Sequence, residues 1–292
     1  MNLNQFPLWT AVVTPLTNEG KVDFTTLSHL ITEQTNAQNG LLILGSTGEG
    51  LNLTLEQKKS ILEHVLSLKP SSPIMVGVGG HQLEETLEWL SYLETLPLHA
   101  YLMVTPLYAK PGAHGQYEWF KTLMDKVTKP VMLYNVPGRT AVALSLTAVE
   151  KLSSHPNFWA IKEASGSVEK FKEYVKAAQG KGVFCGDDAL MPDFALHGSC
   201  GLVSVASNTW PKETHHYVKE CLAKTFDHKE LWTEASNSLF IASNPVPVKA
   251  LMHLKKQIQT PKMVAPLSHL DLQDTSLLVK MDQQIQSWFK GK

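Results

Sequence analysis

The sequence predicts an α/β fold, a closed (β/α)8 barrel of the TIM type followed by a C-terminal helical extension. Three observations support this prediction. Eight short apolar runs are each bounded by turn residues, as buried strands are. Helical patterns with apolar stripes separate these runs, and strands joined by helices pair in parallel. The 292 residues exceed the roughly 250 residues of one such barrel, which leaves room for an extension.

The predicted elements follow one another without a break. Asp23 opens the first helix, and Thr54 and Gln57 have the spacing of a capping box for the second helix. The fourth helix is predicted from about residue 116 to residue 126. The predicted strands cover residues 8–13, 41–44, 73–76, 100–104, 131–134, 158–162, 182–185 and 201–205.

The chain after Asn208 is longer than a single closing helix requires. Three or so further helical segments fit there, with breaks at residues 244–247 and 265–266. We therefore expect a catalytic barrel over residues 1–224 and a helical extension over residues 225–292. An open doubly wound sheet is the alternative fold, but no GxGxxG motif follows the first strand.

The composition argues against several classes of protein. Lys plus Arg total 26 and Asp plus Glu total 27, so a nucleic-acid partner is not expected. Residues 1–10 lack the charged and apolar regions of a signal peptide, and no apolar run approaches the roughly 20 residues that span a bilayer. Cys185, Cys200 and Cys221 form no CxxC pair, which fits a reducing compartment. We therefore expect a soluble, cytoplasmic protein without a membrane partner.

Lys162 ends the sixth apolar run, just before a polar turn. A lysine at the end of a buried strand bears a desolvation cost as the ammonium ion, which favours the free amine, a nucleophile toward carbonyls. The alternative is that the side chain reaches solvent and pairs with Glu163 or another carboxylate. Residues 158–166 alone favour that alternative, whereas the rest of the chain favours the nucleophile.

Other unusual residue clusters also follow predicted strands, where the reactive groups of such a barrel lie. The glycines and hydroxyls of residues 45–50 suit close backbone approach to a small anion. Tyr108 and Tyr134 can shuttle protons, and Arg139 offers a bidentate fork for a carboxylate. Each feature has a structural alternative when it is taken alone. Residues 45–50 could simply form a tight turn, the two tyrosines could be interfacial aromatic side chains, and Arg139 could form a surface ion pair. Together they predict a site that binds a small carboxylate and forms an imine on Lys162.

No metal or redox cofactor is indicated. The 12 histidines form no HExxH motif, and the adjacent His215 and His216 cannot share one helix face. Neither a P-loop nor a GxSxG motif is present, and Ser46 has no accompanying His and Asp signature. We therefore expect no cofactor.

These motifs, in this order, resemble those of the 4-hydroxy-tetrahydrodipicolinate (dihydrodipicolinate) synthases, in the family of pyruvate-dependent Schiff-base lyases that includes N-acetylneuraminate lyase. The resemblance covers essentially the whole chain. It implies condensation of pyruvate with L-aspartate 4-semialdehyde to 4-hydroxy-tetrahydrodipicolinate, in diaminopimelate and lysine biosynthesis, by a homotetramer built as a dimer of dimers. The segments that carry it are residues 45–49, 104–108, 133–140, 161–164, 186–188 and 244–249.

The resemblance also implies a role for each site residue. Lys162 forms the imine with pyruvate, and Tyr134 relays protons. Ser46 links Tyr134 to Tyr108, which reaches in from a neighbouring subunit. The substrate-binding residues are Thr47 for the pyruvate carboxylate, Arg139 for the carboxylate of aspartate semialdehyde, Val205 packed near the pyruvate, and Gly186.

Position 46 departs from the synthases, which usually carry threonine there. Serine keeps the hydroxyl but lacks the methyl group that fixes χ1. Arg139 favours a synthase, because sialic-acid and sugar-acid lyases generally lack an arginine at that place. The alternative enzyme is a pyruvate-releasing aldolase or lyase acting on a keto-sugar acid. The alternative outside catalysis is a barrel retained for ligand binding or scaffolding.

The resemblance also bears on regulation, because lysine inhibits many bacterial and plant synthases by binding at the tight dimer interface. Glu85 keeps its family type. Leu55 and Leu107 offer no hydrogen-bonding side chain, and Lys58 repels the ammonium groups of the ligand. We therefore expect insensitivity to millimolar L-lysine. The positions that depart from lysine-sensitive relatives carry Gly50, Leu55, Lys58, His81 and Leu107.

Overall fold

The computed structural model describes residues 2–292 and contains a closed barrel of eight parallel strands. Each strand pairs with the next one in sequence, and the last strand closes the barrel on the first, where Leu202 stands opposite Leu8. The strands are Leu8–Ala11 (β1), Gly40–Ile43 (β2), Ile74–Val78 (β3), Ala100–Val104 (β4), Val131–Asn135 (β5), Phe158–Glu163 (β6), Gly182–Cys185 (β7) and Leu202–Ser204 (β8).

Helices connect the strands and continue beyond the barrel. Over residues 2–292 the α-helices are Phe24–Asn36 (α1), Leu55–Ser67 (α2), Leu83–Glu94 (α3), Ala113–Lys126 (α4), Pro137–Thr140 (α5), Leu146–Leu152 (α6), Val168–Ala177 (α7), Met191–Leu196 (α8), Pro211–Ala223 (α9), Lys229–Ser238 (α10), Val246–Leu254 (α11) and Ser276–Lys290 (α12). The closed parallel barrel confirms the predicted fold class, and the open doubly wound sheet is wrong.

Three local features differ from the predicted elements. β1 ends at Ala11 rather than at residue 13, because the Val13 N–H donates to Asn208 Oδ1 at 3.0 Å instead of to a strand. α4 begins at Ala113, before the predicted start, because Gly112 takes the extended N-cap conformation there. α5 is a helical turn where no helix was predicted, and it begins at a proline, whose fixed φ suits the first helical position.

The predicted helix starts are capped as expected. The Asp23 carboxylate accepts a hydrogen bond from the Thr26 N–H at 3.0 Å at the start of α1. Thr54 and Gln57 form a reciprocal capping box before α2, with bonds of 2.9 and 3.2 Å. These bonds satisfy N–H groups that the first turn of a helix leaves without a partner.

Strand residues alternate between two apolar layers, as the two-residue period of a strand requires. One layer lies between the strands and the helices. Ala160 belongs to the other layer, which fills the barrel, and Lys162 follows it by two residues on β6. Strand alternation therefore directs Lys162 to the inside of the barrel. The large side chains of the interior layer are Trp9, Leu42, Met75, Leu102, Met132, Tyr134, Phe184 and Val203.

The C-terminal extension packs against the barrel. Trp232 of α10 donates from Nε1 to the Asp188 carbonyl at 2.9 Å. Trp210, at the start of α9, donates from Nε1 to Asp282 Oδ1 of α12 at 2.7 Å. Leu278 of α12 is buried in the same apolar core as the barrel side chains. The three helices after α9 confirm the expected extension.

The boundaries of the extension differ slightly from the expected breaks. α11 begins at Val246, with Pro247 in its first turn, where a proline costs no intrahelical hydrogen bond. The expected break at residues 244–247 is therefore shorter than predicted. α9 ends at Ala223, and a domain division between residues 224 and 225 stays a prediction. Among residues 2–292, no helix combines the length and apolar character needed to cross a membrane.

The closure of the barrel at Gly201 gives a stability prediction. Gly201 has a φ of +152°, and a Cβ added to it would lie 1.9 Å from the Pro7 carbonyl oxygen. We expect Gly201→Ala to lower the free energy of unfolding by more than about 3 kcal/mol, because backbone strain and collision combine. Urea denaturation followed by circular dichroism measures this loss.

Gly198→Ala is the matched control for Gly201→Ala. Gly198 also has a positive φ, +91°, but nothing lies within 4 Å of an added Cβ. The control should lose only the strain energy of about 1 kcal/mol. Equal losses for the two variants would show that the Pro7 contact is unimportant.

Candidate active site

Lys162 and Tyr134 form the centre of the candidate site. They stand opposite each other on β6 and β5. Lys162 is 4% exposed and Tyr134 is 7% exposed. Lys162 Nζ lies 4.3 Å from the centroid of the Tyr134 ring, within the range of a cation–π contact. The structure thus brings the predicted nucleophile and the predicted proton relay together at the ends of adjacent strands.

Glu163, which follows Lys162 in sequence, forms hydrogen bonds with Asn135 and Ser165. Its carboxylate accepts hydrogen bonds from Asn135 Nδ2 at 2.5 Å, from the Ser165 N–H at 3.0 Å and from the Ser165 hydroxyl. Burial raises the pKa of the Glu163 carboxyl. Because Lys162 is buried and Glu163 is bonded elsewhere, the structure does not support a solvent-exposed pair between the two.

Two aspartates follow β7 beside the site. The buried Asp188 accepts hydrogen bonds from the Val205 N–H at 2.9 Å and from the Ser204 hydroxyl. Asp187 accepts from the Gly166 N–H at 3.0 Å. Burial raises the pKa of both carboxyl groups, that of Asp187 to about 6. Asp188 thereby fixes Val205, a predicted substrate-binding residue, in the loop after β8.

Gly186 lies against the stem of Lys162. A Cβ added to Gly186 would lie 3.0 Å from Lys162 Cε, 2.7 Å from Ala164 Cβ and 2.9 Å from the Glu163 carbonyl oxygen. A larger residue would therefore displace the lysine or the loop after β7. Close packing against Lys162, Ala164 and Glu163 therefore explains why a glycine occupies position 186. A contact between Gly186 and the substrate stays a prediction.

The loop after β2 is a tight turn that carries the two predicted hydroxyls. A Cβ added to Gly50 would lie 2.1 Å from the Leu44 carbonyl oxygen, so the backbone is closely packed there. Thr47 is 2% exposed, and its Oγ1 accepts a hydrogen bond from Asn244 Nδ2 at 3.0 Å. Ser46 is half-buried. Residues 45–50 therefore do form the tight turn that was the alternative to an anion site, and Thr47 is held in a fixed position within this turn.

Asn244 connects two predicted substrate-binding residues, although the sequence analysis gave it no role in the site. Its side chain donates to Thr47, and its carbonyl accepts from Arg139 Nη2 at 2.9 Å. Arg139 is exposed, and it is the only arginine in the chain. The Asn244 Oδ1 atom is buried without a hydrogen-bond partner among residues 2–292. One residue of the extension therefore holds groups from the loops after β2 and β5.

A buried ion pair joins the same loop to α11, and sequence reasoning also missed it. Lys249 Nζ lies 2.9 Å from Glu49 Oε1, with both side chains fully buried. Lys249 Nζ also donates to the Thr14 carbonyl at 3.0 Å, and Glu49 Oε2 accepts from the Val264 N–H at 2.6 Å. Burial lowers the pKa of Lys249, and Glu49 opposes that shift. The extension is therefore anchored directly to the loop that carries Thr47.

A cavity of about 320 Å³ opens beside this centre. Ser46, Tyr134 and Arg139 line it, so the structure brings three of the predicted site residues to one cavity. Its lining does not include Lys162, whose amine contacts the Tyr134 ring that forms part of the wall. Three further predicted site residues stand outside the lining: the buried Thr47 and Val205, and the half-buried Gly186.

Tyr108 stands apart from the other predicted relay residues. It is 91% exposed and has a φ of +62°. Within residues 2–292 of one chain, no hydrogen bond joins the hydroxyls of Ser46, Tyr134 and Tyr108. The three-residue relay stays a prediction that requires a second chain.

The histidines and cysteines form no grouped site. Cys185, Cys200 and Cys221 are free thiols. His215 Nδ1 lies 2.8 Å from the side-chain oxygen of Asn39. In the part of the chain that the structure describes, no three His, Cys, Asp or Glu side chains are grouped so that they could hold a metal ion.

Known proteins resemble this chain in sequence and in fold over nearly its whole length. The model of the Dihydrodipicolinate synthetase family matches residues 6–285. A 4-hydroxy-tetrahydrodipicolinate synthase of Wolbachia pipientis wMel is 46% identical over 282 residues, 96% of each chain. One from Francisella tularensis subsp. novicida is 43% identical, covering 97% of this chain and 96% of that one. The solved synthase of Cyanidioschyzon merolae with lysine bound is 27% identical, with a TM-score of 0.90 and coverage of 98% and 99%.

The raised pKa of Asp187 predicts a pH dependence of stability. The folded pKa, about 6, lies above the ordinary value of 3.8, so the folded protein keeps a proton that the unfolded chain releases between these values. This contribution to stability is present below about pH 4 and is lost as the pH rises to about 6. We expect a loss of up to about 3 kcal/mol from this group.

Asp187→Asn tests this dependence, because it keeps an acceptor for the Gly166 N–H but cannot titrate. In urea titrations between pH 4 and pH 7, the stability of the variant should decline less than that of the parent, because the contribution of Asp187 is removed while those of Glu163 and Asp188 remain. Asp274→Asn is the control, since Asp274 is exposed and hydrogen bonds lower its pKa; its profile should keep the decline. Parallel profiles for Asp187→Asn and the parent would contradict the assignment.

Proposed function

The chain belongs to the dihydrodipicolinate synthetase family, and from that membership we infer its reaction. It condenses pyruvate with L-aspartate 4-semialdehyde to give 4-hydroxy-tetrahydrodipicolinate in diaminopimelate and lysine biosynthesis, and it is a lyase. The observation that carries this conclusion is the match to synthases over nearly the full chain. The pyruvate-releasing lyase of keto-sugar acids is not favoured, because the curated relatives at 37–46% identity are synthases.

We propose Lys162 as the nucleophile of this reaction. Its amine adds to the keto carbon of pyruvate, and loss of one water leaves an imine. Loss of a methyl proton converts the imine to an enamine, whose carbon attacks the aldehyde of the second substrate. The position of Lys162 inside the barrel, at the C-terminal end of β6, supports this role because reactive groups of such barrels lie there.

Proton transfer is assigned to Tyr134, with Ser46 and Tyr108 as its partners in the proposal. The Tyr134 ring lies against the Lys162 amine, with its centroid 4.3 Å from Nζ, so Tyr134 would stand beside an imine formed there. Ser46 lines the same cavity as Tyr134. Tyr108 is exposed on one chain, and a second chain would bring its hydroxyl to that cavity.

Two carboxylates must be bound, one from each substrate. We propose that Thr47 binds the carboxylate of pyruvate and that Arg139 binds the carboxylate of the aldehyde. The Asn244 bridge supports this assignment, because it holds both groups in one fixed arrangement. Val205 and Gly186 complete the pyruvate site in this proposal, since Gly186 packs on Lys162 and Asp188 fixes the Val205 backbone.

We propose a homotetramer arranged as a dimer of dimers, located in the cytoplasm. Three large side chains near the cavity are exposed on one chain: Tyr108 at 91%, Leu55 at 56% and Leu51 at 50%. Contact with a second copy would remove their apolar surface from water. The three free thiols fit a reducing compartment.

Substrate consumption tests the reaction. The protein should consume pyruvate only when L-aspartate 4-semialdehyde is present, and it should release no pyruvate from keto-sugar acids. Lys162→Ala should fold normally yet lose nearly all turnover, whereas Lys170→Ala, which removes an exposed lysine paired with Glu173, should retain it. Pyruvate release from a sugar acid would overturn the proposal in favour of the alternative lyase.

Replacement of Arg139 should reduce activity toward the aldehyde substrate much more than it reduces the reaction with pyruvate. A charged, bidentate hydrogen bond is worth about 1.5–3 kcal/mol, so Arg139→Ala should weaken use of the aldehyde at least about tenfold. Arg139→Lys should restore little of the activity toward the aldehyde, because an ammonium group cannot form the bidentate hydrogen bond of a guanidinium group. Imine formation with pyruvate, followed by borohydride trapping, should change far less than kcat/KM for the aldehyde. Equal losses for both substrates would make Arg139 a structural residue.

The residues near the cavity predict no feedback inhibition by lysine. Lys58 lines the cavity and lies half-buried, so it would repel the ammonium groups of the ligand. Leu55 is 56% exposed and offers no hydrogen bond. We expect steady-state rates at fixed substrates to be unchanged by millimolar L-lysine. Saturable inhibition in this assay would show that these substitutions leave the lysine site intact.

A further inference from the structure

A groove between the end of α1 and α9 carries a cluster of basic side chains that the proposed reaction does not use. We propose that this groove binds inorganic phosphate in a form that carries a proton. The inference does not rest on the proposed function, because no residue of the groove takes part in the proposed reaction. The basic side chains that line the groove from α9 are Lys212, His215, His216 and Lys219.

Two lysines of the groove have no carboxylate partner among residues 2–292. Lys212 and Lys219 are exposed and stand seven residues apart, which places them about two turns apart on one face of α9. Glu220 is the acidic side chain of the lining, but its Oε1 lies 2.8 Å from Lys292 Nζ and 3.1 Å from His216 Nε2. The groove therefore keeps unpaired positive charge, which attracts an anion.

The hydrogen bonds around Asn39 determine which nitrogen of His215 carries a proton. The fully buried Asn39 donates from Nδ2 to Gln34 Oε1 at 2.8 Å and to the Pro211 carbonyl at 3.2 Å. Gln34 is itself oriented by donation from Nε2 to the Ser207 carbonyl at 2.7 Å. Because a carbonyl only accepts, Asn39 Oδ1 is the acceptor of the 2.8 Å bond with His215 Nδ1. His215 Nδ1 therefore carries the proton, and Nε2 of the neutral ring is an acceptor.

The surroundings of His215 keep its ring neutral. Burial lowers the pKa of His215 below its ordinary value of 6.5, and Lys219 and His216 lower it further. The end of α1 adds the neutral residues 36–38 to the lining. At pH 7 the groove therefore offers a lone pair on Nε2 together with two ammonium groups. The other charged groups at the groove are Lys212 and the paired Glu220 and Lys292.

This combination distinguishes phosphate from sulfate, an anion of the same shape. At pH 7 inorganic phosphate keeps at least one proton, whereas sulfate has none. A P–OH group can donate to His215 Nε2 while the other oxygens accept from the lysine ammonium groups. Sulfate would place an oxygen lone pair against the lone pair of Nε2 and leave that nitrogen without a donor. The free ion is favoured over a phosphate monoester, because a monoester has a second pKa of about 6 and has mostly lost its proton at pH 7.

NMR titration of the intact protein, monitored at the ring signals of His215, tests the proposal without a variant. At pH 7 and equal ionic strength, inorganic phosphate should bind at least about tenfold more tightly than sulfate, a difference of about 1.4 kcal/mol. Glycerol 3-phosphate should bind more weakly than inorganic phosphate. The preference over sulfate should shrink as the pH falls, because a protonated His215 donates from Nε2 to either anion. Equal affinities for phosphate and sulfate at pH 7, no phosphate binding, or tighter binding of glycerol 3-phosphate would overturn the proposal.

Two double variants with the same change of charge locate the site. Lys212→Met/Lys219→Met removes both ammonium groups and should weaken phosphate binding about tenfold, or about threefold for each exposed charge pair. Lys172→Met/Lys176→Met is the control, because it removes two exposed lysines of α7 that form no ion pair among residues 2–292. Its affinity for phosphate should equal that of the parent. Equal losses in the two double variants would show attraction to general surface charge and contradict a site in the groove.

His215→Asn tests the role of the ring nitrogen. The asparagine amide keeps a donor near the position of Nδ1 for Asn39, but it has no atom at the position of Nε2. The variant should therefore bind phosphate and sulfate with similar affinity at pH 7, whereas a purely structural role of His215 would leave the selectivity unchanged. A folded His215→Asn variant that keeps the preference for phosphate would overturn the proposal.

Discussion

The buried ion pair between Glu49 and Lys249 is the interaction on which the site depends. It lies out of contact with water, and each partner has a further backbone contact, at the Val264 N–H and the Thr14 carbonyl. A buried pair of this kind need not add stability over an apolar replacement, but removal of one partner costs about 3–5 kcal/mol. The pair therefore acts as a constraint that fixes the extension on the loop after β2.

This constraint reaches both proposed carboxylate sites through Asn244. Asn244 and Lys249 lie close together in sequence, on either side of the start of α11. When the ion pair fixes α11, the Asn244 side chain is held at Thr47 and its carbonyl at Arg139. The proposed site residues all lie in the barrel, and the extension contributes by holding two of them, Thr47 and Arg139, in place.

Much of the fold follows from local sequence patterns, because strand and helix periodicity and the capping box of Thr54 and Gln57 are local signals. The position of Lys162 near the end of a buried strand also follows from local sequence, but residues 158–166 alone favoured a solvent-exposed ion pair, and the rest of the chain was needed to predict a nucleophile. The contacts of Asn244 with Thr47 and of Lys249 with Glu49 span 197 and 200 residues. No local pattern encodes such pairs.

A second group of features was beyond local sequence reasoning for other physical reasons. β1 is shorter than its apolar run because the Asn208 side chain replaces a strand partner. The proposed relay through Tyr108 would require a second chain, which no local sequence pattern can position. Arg139 was recognised as a carboxylate fork, but its hydrogen bond to a carbonyl more than 100 residues away became visible only in the fold.

The most direct test of the central claim is reductive trapping of pyruvate on the intact protein. Borohydride reduces an imine to a stable amine, so mass spectrometry of the digested protein identifies the lysine that formed it. The account predicts one adduct, on the peptide that contains Lys162. An adduct on a different lysine, or no adduct at all, would contradict it.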